Sequence, residues 1–279
     1  MESVNLRAHI SKMTYAALML RRAHRKHLKK DLRQISDGIS AEHFDLVEFI
    51  ALMRVMRDRL GASVKIGSVS PLMDFTYDSF EKSSSRISVD NLACRRGCSH
   101  CCNIWTDAYA PEVLFTAKQV RESSKFSSTT IKPVGEFSGK IPIEDRDALP
   151  ITCPLLVDHV CTFYTSRPLN CRTSVSLDET ACVQAFLENK EVDIPVPRGW
   201  DILGQSYSLA IKGAVFHAGL AYEPYEWNSA LALAVGDSDL EKRWLEGEEV
   251  FPGLRANKPG PPPFTHPFWK SLYNQAFGE

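Results

Sequence analysis

Along the first 35 residues, apolar positions recur at spacings of three and four. Ile10, Met13, Ala17, Leu20, Leu28, Leu32 and Ile35 form one stripe, which predicts an amphipathic helix. Its opposite face is basic, with Arg21, Arg22, Arg25, Lys26, Lys29, Lys30 and Arg33. A second helix is predicted from Ala41 to about Leu60, ended by Gly61, with Phe44, Val47, Ile50, Leu52 and Val55 on its apolar side. A shorter helix is expected within 71–88, before the serine run Ser83 to Ser85. From Ser123 to Ile151 the chain is polar and dotted with prolines, which reads as a long connection. Pro195 and Pro197 mark a boundary, after which 202–220, 227–235 and 240–245 read as helices. The tail from Lys258, KPGPPPFTHPFW, holds too many prolines for a helix or a central strand. It is expected to pack as an extended strap through Phe264, Phe268 and Trp269. No internal repeat is present.

The pattern implies a mainly α protein, bundle-like, with an irregular cysteine-rich metal-binding core. Three stretches follow from it: an N-terminal helical region 1–88, a cysteine-cluster metal-binding domain 89–190, and a C-terminal helical region 191–279 with the proline-rich tail.

Composition adds limits. The chain has 279 residues, is 44% hydrophobic and 24% charged, and carries a formal net charge of −1. That is ordinary globular composition. Near-neutrality gives no whole-protein pull toward nucleic acid or an anionic membrane. No segment approaches the run of about 20 apolar residues that a membrane span needs. The opening MESVNLRAHISK places charges where a signal peptide needs an apolar run, so a cytoplasmic location is expected. Thiols stay reduced there, and clustered cysteines serve as ligands or catalysts more often than as disulfides.

Seven of the eight cysteines fall into two groups. The first, CRRGCSHCC, holds Cys94, Cys98, Cys101 and Cys102; the second holds Cys153, Cys161 and Cys171, with Cys182 following. On a helix of about 100° per residue the first four would share roughly 100° of arc. Gly97 favours instead a turn that opens into a helix. Cys98 and Cys101 make a CxxC pair, a spacing that lets two sulfurs reach one ion. Cys101 and Cys102 are neighbours and chelate one small ion together only with difficulty. The second group must therefore fold back to complete a site. Soft thiolates suit an iron–sulfur cluster or zinc, and seven or eight sulfurs allow two sites. The competing readings are buried free thiols and a CxxC redox pair, which would not need the remaining cysteines.

The run CRRGCSHCC, the later APE, and then CPLL, CTFY and RPLNCR resemble the YkgJ-type cysteine-cluster family. That family is described as a zinc- or iron-chelating domain and includes flagellin lysine N-methylases. The resemblance spans roughly residues 90–180. Its pattern falls on the seven cysteines from Cys94 to Cys171 and on Glu112, Pro154, Tyr164, Arg167, Pro168 and Arg172. Phe163 stands where the pattern usually has Ile or Val. The stretch Glu226 to Glu246 also looks like the helical continuation of some members.

Other residues carry candidate chemistry. Glu112 follows Pro111 at a predicted helix start, where the helix dipole favours a carboxylate; it is also a candidate metal neighbour or base. Tyr164, three residues past Cys161, is a second catalytic candidate. Arg167 and Arg172 flank Cys171, where cations stabilise thiolates and offset the charge of a thiolate-bound centre. His159 reads as an exposed loop histidine or a ligand, and His217 as a satisfied core histidine. His100 points away from the cysteine arc if that segment is helical.

Three functions compete. The first is a module whose metal is structural or carried. The second is a metal-dependent enzyme modifying a protein or peptide side chain, as the methylase relatives imply. No GxGxxG follows a strand and no P-loop is present, so this reading rests on the resemblance. The third is a nucleic-acid or protein adaptor using the basic N-terminal helix. No aromatic interleaving accompanies those basic residues.

Overall fold

The computed structural model of the protein describes residues 26–89, 91–123, 128–188, 190–257 and 263–278. The chain is mainly helical, as the apolar periodicity predicts. Residues 26–34 form a helix (α1), and Leu28, Leu32 and Ile35 reach the core. Residues 1–25, with Arg21, Arg22 and Arg25 of the basic face, lie outside the described residues.

The next helix, α2 (Leu46–Ile66), starts later and runs further than its sequence implies. Asp45 caps it, its Oδ1 accepting from the N–H groups of Val47 and Glu48 at 2.8 and 2.9 Å. Gly61 does not end it. That glycine sits mid-helix facing open space, and the stop is Gly67, in the left-handed conformation at φ 70°. The later start turns Val47 outward, 63% exposed, while Phe49, Leu52, Met53 and Met56 face inward.

Those residues pack against α8 (Arg198–His217), which contributes Leu203, Tyr207, Ile211 and Ala214. α3 (Ser70–Ser84) lies beside both. Its Ser79 and Ser83 hydroxyls meet the buried Tyr207 hydroxyl at 2.6 and 3.0 Å. The start of the serine run, Ser83 and Ser84, therefore belongs to the helix, and Ser83 partners a buried phenol.

α4 (Ala110–Glu122) and α5 (Ser128–Ser138) both pack on α9 (Trp227–Gly236), with α10 (Leu240–Leu245) against α4. α5 corrects the expectation of a structureless connection from 123 to 151, and a 3-10 turn at Ile143–Ala148 corrects it again. α5 forms although Pro133 lies inside it, because its approach to α9 is close. A Cβ on Gly135 would stand 2.4 Å from Ala232 Cβ and 2.7 Å from the Asn228 carbonyl oxygen. Gly135→Ala is thus expected to push the two helices apart and cost roughly 1–3 kcal/mol, read by chemical denaturation. An unchanged midpoint would show that α5 slides freely on α9.

The tail is also different from its expected form. Residues 258–262 lie outside the described residues, but α11 (Pro267–Phe277) is a helix rather than an extended strap. Pro267 occupies the first turn, where its missing N–H has no intrahelical partner to lose. Phe264 and Trp269 do dock: Trp269 meets Phe44 and Phe49, and Phe264 meets Phe216 and Tyr273. His217 is exposed at the end of α8, stacked on Phe277 at 4.7 Å, rather than buried in the core.

One hydrophobic core runs from Ile35 to Phe277. Among the described residues, the strands form two short antiparallel pairs, β1 (Asp107–Ala108) with β4 (Tyr225–Glu226) and β2 (Leu156–Val157) with β3 (Val160–Cys161), and Tyr225 makes a further bridge to Arg255. Among the described residues, no helix is long and apolar enough to cross a membrane.

Candidate metal centre

The cysteines lie between α3 and α8, in loops and short elements. Gly97, at φ 89°, forms the turn in which the Cys98 N–H donates to the Arg95 carbonyl at 2.9 Å. The chain then enters a short 3-10 helix, His100–Asn103, and not an α-helix. The tighter turn changes where side chains point. His100 therefore lines the same cavity as Cys98 and Cys101, instead of facing away.

The second group does fold back. The Cys153 N–H donates to the Cys102 carbonyl at 2.8 Å, and the Ile151 N–H to the Asn103 carbonyl at 3.0 Å. Past that pairing, β2 and β3 form a hairpin turned by Asp158 and His159, both at positive φ, 48° and 61°. That geometry matches the right-handed twist of a two-residue hairpin. Its turn docks through His159 Nδ1, 3.0 Å from the Ser99 hydroxyl. The hairpin sets Cys161 on β3.

Cys171 lies in α6 (Leu169–Thr173), which α4 holds in place. Glu112, only 2% exposed, accepts the Leu169 N–H at 2.7 Å on one oxygen and the Tyr109 N–H at 3.0 Å on the other. One turn along, the Thr116 hydroxyl donates to the Ser166 carbonyl at 2.6 Å. Both Glu112 oxygens are therefore engaged by backbone, and the residue is not on the cavity wall. Burial pushes its carboxyl up to about 7.

Arg172 is the second brace. It is 2% exposed, and its Nε donates to the Arg167 carbonyl at 2.9 Å. Its terminal nitrogens reach the Thr165 carbonyl and Glu81, and its guanidinium lies 4.0 Å from the Tyr77 ring centroid. Arg167 stacks over Tyr164, 57% exposed, at 3.7 Å.

These elements bring seven of the eight cysteines, all but Cys182, onto the wall of one cavity of about 860 Å³. Arg167, Arg172 and Tyr164 line it too. The thiols respond to one another. The Cys102 thiol, hydrogen-bonded to Cys101, raises the Cys101 pKa, with burial adding to it. Burial pushes Cys153 up to about 11 and Cys171 well above its ordinary value. Burial also raises Cys161, while Arg167 and Arg172 pull it back. Burial thus outweighs the nearby arginines and favours neutral thiols.

The donor set suits a thiophilic metal. Soft sulfurs dominate, and two arginines stand ready to offset thiolate charge. A buried N–H donor on the cavity wall, Arg167 Nε, lacks a hydrogen-bond partner. The Trp227 indole lies close enough to Cys153 to favour its thiolate. A closed site, however, is not preformed. Among the described residues, no group of three or more His, Cys, Asp or Glu side chains is arranged to hold a metal ion. The expected metal-binding core is therefore an irregular cysteine-lined cavity here. Uncharged thiols have no electrostatic reason to converge on a point.

Sequence reasoning missed the neighbours that arrive from distant chain: Trp227 from α9, and Glu179, which pairs with Arg95 at 2.6 Å and with His100 at 3.3 Å. Neither carries a local signal, because only the tertiary fold brings it near. Comparison of the chain with protein-family models, characterised proteins and solved structures finds no match to any of them.

Proposed function

We propose that this protein binds a thiophilic metal, as zinc or an iron–sulfur cluster, in the cysteine-lined cavity, and that the metal is structural or carried. One observation carries the reading: seven thiols from two distant segments share one cavity wall with two arginines. A structural role for free thiols alone gives no reason for that many sulfurs to meet. The motif resemblance points the same way. Cys102, Cys153, Cys161 and Cys171 are the residues to hold the metal, with Arg167 and Arg172 balancing thiolate charge. Binding displaces thiol protons and draws the sulfurs inward, so its free energy contributes to folding.

Anaerobic purification followed by elemental analysis tests the reading. Stoichiometric zinc or iron supports it, and brown colour with acid-labile sulfide identifies a cluster. Cys161→Ser and Cys171→Ser are each expected to lose most of the metal held by this group, since each removes one thiolate. Metal-free wild-type protein, or full occupancy in both variants, would overturn it.

A further inference from the structure

Cys182 is the cysteine outside the large cavity. It lies on α7 (Glu179–Phe186), a helix capped by Asp178, whose Oδ1 accepts from the Thr180 N–H at 2.7 Å. α7 packs on the 3-10 turn that carries Cys101. The Arg95–Glu179 pair, with oxygens at 2.6 and 3.1 Å, fastens it there.

A second cavity, of about 530 Å³, opens between them, and its cysteines are Cys94, Cys98, Cys101 and Cys182. The two cavities partition the sulfurs. Cys102, Cys153, Cys161 and Cys171 line only the larger one, Cys182 lines only the smaller, and the other three border both. Ser176 bridges part of the smaller set. Its N–H donates to Cys94 Sγ at 3.3 Å, and its side chain lies against Cys182. Backbone N–H groups aimed at sulfur are characteristic partners of ligating thiolates.

The partition also resolves a local difficulty. Adjacent cysteines serve one small ion poorly, but a pair straddling two cavities can give one sulfur to each. Cys101 and Cys102 are such a pair, their thiols in contact at the seam.

We infer that the eight cysteines form two four-sulfur centres, with Cys94, Cys98, Cys101 and Cys182 holding a second thiophilic metal beside the one held by Cys102, Cys153, Cys161 and Cys171. This rests on the metal-binding reading above and adds the second centre, with Cys182 as its fourth ligand. Four thiolates are a complete set for tetrahedral zinc or for a cubane cluster. His100 stays on the wall of the second centre, held by Glu179.

The test counts metal. Metal-free full-length protein is loaded anaerobically with Zn²⁺, or with Fe²⁺ and sulfide, then freed of loose metal and analysed. Wild type is expected to hold two zinc ions, or two clusters' iron. Cys182→Ala is expected to hold half, and so is Cys98→Ala, whose half-buried loop position guards against a packing artefact at Cys182. The Cys98→Ala/Cys182→Ala double variant should lose no more than either single one. Cys161→Ala should lose the other half, and adding Cys182→Ala to it should leave none. One zinc in wild type that survives Cys182→Ala would overturn the second centre and leave the metal-binding reading intact. No metal in wild type would overturn both.

Discussion

Removing the proposed metal with a chelator is expected to lower the stability of the folded chain by on the order of 5 kcal/mol, a drop of about 10–20 °C in melting temperature. The cysteine region has little regular structure to hold it. Its strands are two residues long, and its helix α6 spans only Leu169–Thr173. The loss should be local at first. Amides of 94–103 and 151–161 should lose hydrogen-exchange protection well before those of α2, whose Leu52, Met53, Val55 and Met56 are fully buried. A melting curve that the chelator leaves unchanged would mean that the thiols are packing residues and that any metal is peripheral.

Glu112→Ala is expected to cost about 3 kcal/mol, because it leaves the buried N–H groups of Leu169 and Tyr109 without an acceptor. It should also loosen Cys171, two residues beyond Leu169, and so weaken metal retention. The wild-type carboxyl makes a separate contribution to pH dependence. Its folded pKa is raised from the ordinary 4.5 to about 7 by burial. Between those values the folded chain keeps the proton while the unfolded chain has lost it. Its stabilising contribution is thus fully present below 4.5 and is lost as pH rises through 7. At about 1.4 kcal/mol per pH unit the window amounts to on the order of 3 kcal/mol. Glu112→Gln removes that slope, while placing an amide N–H against one backbone donor. Denaturant unfolding at pH 5 and pH 8, with the metal state held fixed, measures both effects. A Glu112→Gln protein with the wild-type slope would assign the titration to another group.

The helices were legible where apolar spacing alone determines them. Residues 227–235 and 240–245 match α9 and α10 almost to the residue, because their runs are bounded by Glu226, Gly236 and Asp239. Sequence misled where a residue's usual habit was overruled by its neighbours. Gly61 reads as a stop, yet the stop needs a left-handed residue, and Gly67 supplies it. Pro133 and the tail prolines read as helix breakers. Contact with α9 outweighs the first, and the first-turn position of Pro267 makes it harmless.

At the site, the cysteine spacing announced two groups that must meet, and the backbone pairing of Cys153 with Cys102 is how they meet. The same spacing could not divide the sulfurs between two cavities. That division depends on where α7 docks, and α7 is placed by Glu179, which pairs with Arg95 and His100, and by its packing on the 3-10 turn. Glu112 was conspicuous for its position after Pro111, but its second partner, the Leu169 N–H, is 57 residues away.

The docking of α11 on α2 bears on the order of events at the ribosome. α2 buries its inner face against α8 and, beyond that, against residues 267–277, with the Arg54 guanidinium reaching the Gln275 carbonyl at 2.7 Å. An emerging chain therefore carries α2 without its α8 cover until more than 130 further residues have been synthesised, and without α11 until more than 200 have. Contacts of such long sequence separation form late and leave apolar surface open to misassembly. The cysteine segment, by contrast, is complete once α7 has appeared, before α8 exists to cover α2. On the proposed metal-binding reading, capture can then precede closure of the hydrophobic core, and a nascent chain that meets a metal early would have its middle ordered while its first helices still wait for their partners.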